Sequence, residues 1–185
     1  MGKRSGRLTA WVVAYAAAFI LCGSALAQET GVEGPSNRQV GLGVLVGANF
    51  PFSNNVDYKI TESWGFFVDI PIISTFHIAP STTLYRLNMD DGSSDQGIAD
   101  VSLNFRFVIP FPMWGLFFAA FLGTSYGEFV EGDVIQAHVG GNLGFTVRLV
   151  SNLDFIMLGQ YKLLIDGNQS NVNSAQAMAG LQFNF

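Results

Sequence analysis

The chain has 185 residues, of which 49% are hydrophobic and only 12% are Asp, Glu, Lys or Arg, whereas soluble domains carry about 25% charged residues. It contains 21 glycines and 17 phenylalanines but only nine basic residues. This composition excludes a disordered chain, a nucleic-acid-binding protein and a coiled coil. The composition favours one β-rich domain in contact with a non-aqueous solvent.

Residues 1–27 have the pattern of a cleaved secretory signal peptide. Three basic residues within the first seven precede an apolar stretch from 8 to 21, and Ala25-Leu26-Ala27 supplies the small residues of a cleavage site. The apolar stretch is shorter than the roughly 20 residues of a membrane-spanning helix. Cleavage there leaves six basic residues against 14 acidic ones and removes the only cysteine, so the exported chain is expected to have no disulfides.

A polar lead-in at 28–38 precedes the expected barrel domain, 39–185, in which apolar segments alternate with turn residues and predict strands. Eight strands are expected, at 39–49, 62–72, 76–89, 97–109, 115–126, 134–149, 153–165 and 174–185. The connections at 74–75, 110–112 and 151–152 are short, and those at 50–61, 90–96, 127–133 and 166–173 are longer and polar. Short turns at one end and longer loops at the other are typical of an up-and-down transmembrane barrel.

Alternation of side-chain character identifies the strands. Every second residue is apolar and the others are mostly polar or glycine in 100–107, 135–149 and 175–185. A helix, with its period of 3.6 residues, would mix the two classes around its axis. The third strand loses this phase near Leu84-Tyr85, where we expect a β-bulge, and the fifth strand is apolar on both faces, so the pattern does not assign its orientation.

The direction of the apolar face separates two classes of barrel, because a soluble barrel buries that face and a membrane barrel turns it towards lipid. The polar faces are rich in Gly, Asn, Gln and Ser and poor in Lys and Glu, which suits a narrow interior. Aromatic residues near the strand ends predict two interfacial girdles, with Tyr58, Trp64 and Tyr126 at the loop end and Trp114 at the turn end. The apolar face is therefore expected to contact lipid.

The final residues Leu181-Gln182-Phe183-Asn184-Phe185 alternate in character and end on phenylalanine. This ending resembles the C-terminal signal of bacterial outer-membrane β-barrels, and the chain as a whole is similar to the small OmpA/OmpX-type barrels. The resemblance implies an all-β, eight-stranded antiparallel up-and-down transmembrane β-barrel in the cell outer membrane. It also implies that the barrel assembly machinery recognises Leu181, Phe183 and Phe185.

Two other architectures compete with this interpretation. The segment 107–127 has no charged residue and is long enough for a membrane helix, but Pro110, Pro112, Gly115 and Gly123 would break such a helix. A soluble lipocalin-like barrel is the second competitor, since closed eight-stranded barrels of this size also exist in water.

Charged residues on the polar faces are expected to meet inside the barrel. The predicted lumen network consists of Asp69, Asp100, Arg106, His138, Arg148, Asp154 and Lys162. Because an unpaired charge inside an eight-stranded barrel is costly, the acids are expected to pair with the bases and plug the lumen. The alternative is a narrow path for ions or small solutes lined by Arg106, Arg148 and Lys162.

The sequence has no pattern that predicts catalysis, a metal site or a cofactor. Neither His77 nor His138 has the serine two positions on that the resemblance to outer-membrane lipid A acylases and deacylases would require. The acidic run around Asp90, Asp91 and Asp95 lacks the ligand spacing of a calcium loop. We therefore expect no enzymatic activity, no metal and no cofactor.

The expected function is a structural or surface-interaction role in the outer membrane. The expected partners are outer-membrane lipids, the barrel assembly machinery and an unknown ligand of the extracellular loops, with no nucleic acid among them. A narrow channel for ions or small solutes is the alternative, and a lipid A-modifying enzyme is the second alternative.

Overall fold

The computed structural model describes residues 39–52, 58–88, 96–129, 132–165 and 173–185. The predicted signal peptide, the lead-in and the acidic run around Asp90 lie outside these residues. The described residues form eight strands: β1 Gly41–Phe52, β2 Thr61–Ile73, β3 Phe76–Leu87, β4 Gln96–Pro110, β5 Trp114–Phe129, β6 Gly132–Val150, β7 Leu153–Ile165 and β8 Asn173–Asn184.

The strands form one closed barrel in which each strand pairs with its neighbours along the chain. Every pairing is antiparallel, and β8 closes the barrel on β1 in a register that runs from Gly41 opposite Asn184 to Phe52 opposite Asn173. Closure leaves no unpaired strand edge. The prediction of an all-β, eight-stranded antiparallel up-and-down barrel is thereby confirmed.

The apolar side chains face outwards, as the alternation predicted. On β4, Ser102, Asn104 and Arg106 are buried in the lumen, while Leu103 and Phe107 are exposed on the outer face. The same arrangement holds along β6 and β8. An apolar outer band around a polar interior is the arrangement of a transmembrane barrel, and it is the reverse of the soluble lipocalin-like alternative.

The segment 107–127, which competed as a membrane helix, forms the end of β4, a turn and most of β5. Within the described residues, no helix is long and apolar enough to cross a membrane.

The structure assigns the orientation of β5 that the pattern left open. Phe117 and Phe121 are buried in the lumen, whereas Phe118 and Leu122 are exposed outside. The alternation of β5 is therefore regular, but both faces carry phenylalanine and hydropathy cannot distinguish them.

The expected bulge near Leu84-Tyr85 is wrong, because the β3–β4 register is continuous from Phe76 to Leu87. Tyr85 and Leu87 both face the lumen and pack with Ile98. The inner face thus becomes apolar near the loop end, and this hides the alternation. The register shifts lie instead beside the short turns, at 71–73 and 148–150.

The predicted loop 127–133 is mostly strand, which corrects the sequence-based boundary. β5 continues to Phe129 and β6 begins at Gly132, with Glu128 opposite Asp133 in the ladder. The strands have 16 and 19 residues, and about 9–11 residues suffice to cross a membrane. Backbone pairing between two long neighbouring strands therefore continues into a segment whose acidic composition suggests a loop.

Tyr58 does not belong to the outer aromatic girdle to which the sequence assigned it. It packs against Tyr85, Leu87 and Ile98, over the loop end of the lumen, because these inward side chains offer an apolar surface there. Partial burial raises the pKa of the Tyr58 hydroxyl above its ordinary value. The other members of the predicted girdles, Trp64, Trp114 and Tyr126, are exposed on the outer face.

Candidate functional site in the barrel lumen

The lumen arranges six of the seven predicted residues as three acid–base pairs. Asp100 pairs with Lys162, Asp69 with Arg106, and Asp154 with Arg148. Asp100 and Arg106 lie six positions apart on β4, which corresponds to about 20 Å along the strand. One pair therefore lies towards the loop end and the others towards the turn end.

The loop-side charge cluster consists of Tyr85, Asp100 and Lys162. Lys162 Nζ lies 2.5 Å from Asp100 Oδ2 and also donates a hydrogen bond to the Tyr85 hydroxyl. The Tyr85 hydroxyl in turn faces Asp100 Oδ1 at 3.5 Å. The side chains of Lys162 and Asp100 are only 1% and 2% exposed, so the ion pair is fully removed from water.

His138 forms a second polar cluster beside this one, with a serine from the adjacent strand β5 and a serine from β4, one strand further around the barrel. Its Nε2 lies 2.8 Å from Ser102 Oγ on β4 and its Nδ1 lies 2.9 Å from Ser125 Oγ on β5. A neutral imidazole has one donor and one acceptor nitrogen, and a hydroxyl can play either role. Both ring nitrogens are thus satisfied within the barrel wall, and the imidazole is buried.

The turn-side charge cluster consists of Asp69, His77 and Arg106. Asp69 Oδ1 accepts from Arg106 Nη1 at 3.2 Å, and Asp69 Oδ2 lies 2.8 Å from His77 Nδ1. The Arg106 guanidinium lies 4.4 Å from the Phe117 ring centre and 5.1 Å from that of Phe67. A desolvated guanidinium over aromatic faces is stabilised by cation–π attraction in addition to its ion pair.

Arg148 and Asp154 form a more solvent-exposed ion pair at the turn end. Arg148 Nε and Asp154 Oδ1 are 3.7 Å apart, and the Arg148 side chain is 46% exposed, against 5% for Arg106. Asp154 Oδ2 accepts a hydrogen bond from Asn184 Nδ2 at 2.8 Å. Arg106 and Arg148, which were predicted to have the same role, therefore differ in environment. Arg106 is buried inside the barrel, whereas Arg148 lies partly exposed at the turn end.

An apolar layer of buried side chains lies in the lumen between the two charge clusters. It consists of Leu45, Phe67, Phe117, Ile156, Leu158 and Met178. Beside it, Asn142 Nδ2 donates to Asn104 Oδ1 at 2.9 Å, and Asn104 donates to the Ala79 carbonyl and to Ser81. The prediction of a lumen filled by polar and charged side chains is therefore incomplete, because strands with two apolar faces also send aromatic and aliphatic side chains inwards.

A cavity of about 440 Å³ occupies the turn end of the barrel. Asp69, His77, Arg106 and Phe117 line it from the lumen, and residues 110–114 of the β4–β5 turn line it from the side. Arg148 and Asp154 also contribute to the wall. On its inner side the cavity thus borders Phe117 of the core and the turn-side cluster.

Sequence reasoning missed the partners that complete these clusters. Tyr85 was obscured by the lost phase of its strand, and Ser125 lies on the strand whose orientation was not assigned. His77 could have been found, because the short turn at 74–75 returns β3 beside β2 and places His77 two positions beyond the level of Asp69. The pairing of Asp100 with Lys162 joins residues 62 positions apart, and no local pattern reports such a contact.

Comparison with solved structures places this fold among outer-membrane barrels. The crystal structure of Neisserial surface protein A, NspA, aligns with a TM-score of 0.68 and 17% sequence identity. The alignment covers 83% of this chain and 100% of the NspA chain. The outer membrane protein OprG from Pseudomonas aeruginosa aligns with a TM-score of 0.52 and 11% sequence identity. This alignment covers 80% of this chain and 94% of the OprG chain. No family model and no curated protein sequence matches the chain. At these identities the likeness concerns the fold, which is that of the small eight-stranded outer-membrane β-barrels.

Proposed function

We propose that this protein is an outer-membrane barrel with a closed lumen and a structural or surface-interaction role. The observation that carries the proposal is the set of buried side chains that point into the lumen. The apolar layer around Phe67 and Phe117 lies between two charge clusters in which Asp100 pairs with Lys162 and Asp69 with Arg106. Eight-stranded barrels are just wide enough for side chains to fill their interior, which supports a lumen without a continuous path for a solute.

A closed lumen leaves the lipid-facing wall, the loops and the turn end of the barrel as surfaces that can contact a partner. The predicted loops carry several acidic residues, which favours a ligand outside the cell or bridging of divalent ions to lipid headgroups. The name of the Neisserial structure describes a surface protein, which is consistent with this role. The proposed partners are outer-membrane lipids, the barrel assembly machinery and a ligand of the loops.

The closed lumen predicts an electrically silent barrel. The chain from Gln28 onwards, refolded into a planar bilayer, is expected to show no discrete conductance steps, while its heat-modifiable gel mobility demonstrates folding. Reproducible steps whose size changes in Arg106→Ala would contradict the proposal and favour the narrow channel, with Arg106, Arg148 and Lys162 along its path.

Catalysis is not part of this proposed function. The serine–histidine pair formed by Ser102 and His138 resembles a nucleophile with its base, but both side chains are buried inside the barrel. They point into the lumen, away from the lipid that a lipid A-modifying enzyme would have to reach. The turn-end cavity does not extend to them.

The last strand tests the proposed partnership with the assembly machinery. Leu181, Phe183 and Phe185 all lie exposed on the outer face, and the rings of Phe183 and Phe185 are 4.9 Å apart. Phe185→Leu is expected to lower the amount of folded barrel in the outer membrane severalfold, because a recognition contact is lost. In vitro its unfolding free energy should change by no more than about 1 kcal/mol.

Phe118→Leu is the matched control, since Phe118 is also an exposed phenylalanine of the outer face but lies on β5. Equal losses of folded protein in the two variants, measured by heat-modifiable mobility of membrane fractions, would argue against a specific signal at the end of the chain.

A further inference from the structure

The cavity at the turn end has one apolar wall and one polar wall. The apolar wall is the β4–β5 turn, where Phe111 and Trp114 stack with ring centres 4.0 Å apart and Met113 is largely exposed. The polar wall carries Arg148 and Asp154. The Arg148 backbone N–H donates to the Met113 carbonyl at 2.9 Å, so the apolar turn and the arginine are held side by side.

The charges that face this cavity are not equally available to a ligand. Asp69 has both carboxylate oxygens engaged, one by Arg106 and one by His77. Asp154 Oδ2 accepts from Asn184, and Asp154 Oδ1 is buried, 3.7 Å from Arg148 Nε.

Arg148 differs from these carboxylates because nearly half of its side chain is exposed. Within the described part of the chain, the only ion pair of its side chain is the 3.7 Å approach to Asp154. The guanidinium can therefore offer hydrogen-bond donors to a bound oxyanion without breaking an existing hydrogen bond, and a guanidinium matches carboxylate and phosphate geometry.

We propose that this cavity is a binding site for a small amphipathic anion, with its carboxylate or phosphate on Arg148 and its apolar body on Phe111 and Met113 of the β4–β5 turn. Trp114, which stacks on Phe111, reports on the site from the outer face. The volume of about 440 Å³ lies within the roughly 300–1,000 Å³ range of small-molecule sites, which combine apolar walls with a few polar groups. The site lies at the opposite end of the barrel from the loops. Ligand binding there does not depend on the proposed surface-interaction role.

Trp64 and Trp114 provide a test, because they lie on the outer face at opposite ends of the barrel. The protein purified from membranes is ¹⁵N-labelled and placed in nanodiscs of zwitterionic lipid, and octanoate is titrated while the indole N–H signals are followed. We expect a saturable shift of the Trp114 signal with the Trp64 signal unchanged. Octyltrimethylammonium, which has the same chain and the opposite charge, should not produce this shift.

Variants at the polar wall identify the head-group contact. Arg148→Gln should weaken octanoate binding about tenfold, as expected for loss of a charge-assisted hydrogen bond, while Arg148→Lys should retain most of the affinity. Asp154→Asn should strengthen binding, because it removes the nearest negative charge. Heat-modifiable mobility of each variant verifies that the barrel is folded.

Three results would overturn the site: parallel shifts of both indoles, which report partition into lipid; equal binding of the cationic amphiphile; or unchanged affinity in Arg148→Gln. Nanodiscs containing phosphatidylglycerol without octanoate distinguish the source of the ligand. A Trp114 shift that Arg148→Gln abolishes identifies a membrane lipid, whereas an unchanged signal together with octanoate binding identifies a free amphiphile.

Discussion

Replacing Lys162 with methionine is expected to lower the unfolding free energy by about 3–5 kcal/mol, because it leaves a buried carboxylate without its partner. The Asp100 side chain is 2% exposed and faces Lys162 Nζ at 2.5 Å. Methionine keeps a comparable unbranched shape, so the loss reports the charge rather than a cavity. Urea-driven unfolding in lipid vesicles, followed by tryptophan fluorescence, measures the change.

The double variant Lys162→Met with Asp100→Asn removes both charges and should recover most of the lost stability. Arg148→Ala is the control for position, since it breaks an exposed pair and should cost no more than about 1 kcal/mol. If Lys162→Met were as mild as Arg148→Ala, the loop-side charge cluster would not hold the lumen together. If the double variant were no more stable than Lys162→Met, packing rather than charge would explain the loss.

Replacing Gly180 with alanine is expected to destabilise the barrel at its closing seam by at least about 1–3 kcal/mol, the usual cost of overpacking. Gly180 lies opposite Leu45 in the β1–β8 pairing. A Cβ there would overlap the Val44 carbonyl oxygen and lie 2.9 Å from the Leu45 Cα atom. Since these are backbone atoms, the two strands would have to separate locally.

Gly159→Ala is the matched control on the neighbouring strand, because a Cβ at Gly159 meets no atom within 4 Å. Its unfolding free energy should remain within about 0.5 kcal/mol of that of the unchanged protein. Equal stabilities of the two alanine variants would show that the β1–β8 seam accommodates a side chain at this level and that the close approach has no structural consequence.

Much of the fold follows from local pattern. The alternation over 100–107 correctly predicted which side chains of β4 enter the lumen, because a strand sends successive residues to opposite faces. The strand β7 has the predicted bounds, 153–165, and the short turns lie where the sequence placed them. The predicted strand boundaries were wrong where strand pairing continued through polar residues, as at 127–133. Backbone hydrogen bonds between strands do not require apolar side chains.

The sequence predicted which charged residues lie in the lumen, but not which of them pair with one another. Asp69, Asp100, Arg106 and Lys162 were all expected inside, and each is buried in the lumen. Which acid meets which base depends on the stagger of strands around the barrel, and this is set by the sum of all pairings. The difference between the buried Arg106 and the exposed Arg148 has the same origin.

The sequence alone determined that this chain forms eight antiparallel strands with an apolar face outside, because period-two alternation is a local property of each strand. Only the tertiary structure decided that the lumen contains an apolar layer, that Tyr58 packs against lumen side chains at the loop end and that a cavity lies beside Arg148. These features arise where side chains from distant strands converge, since closure of the barrel brings together residues that no local pattern relates.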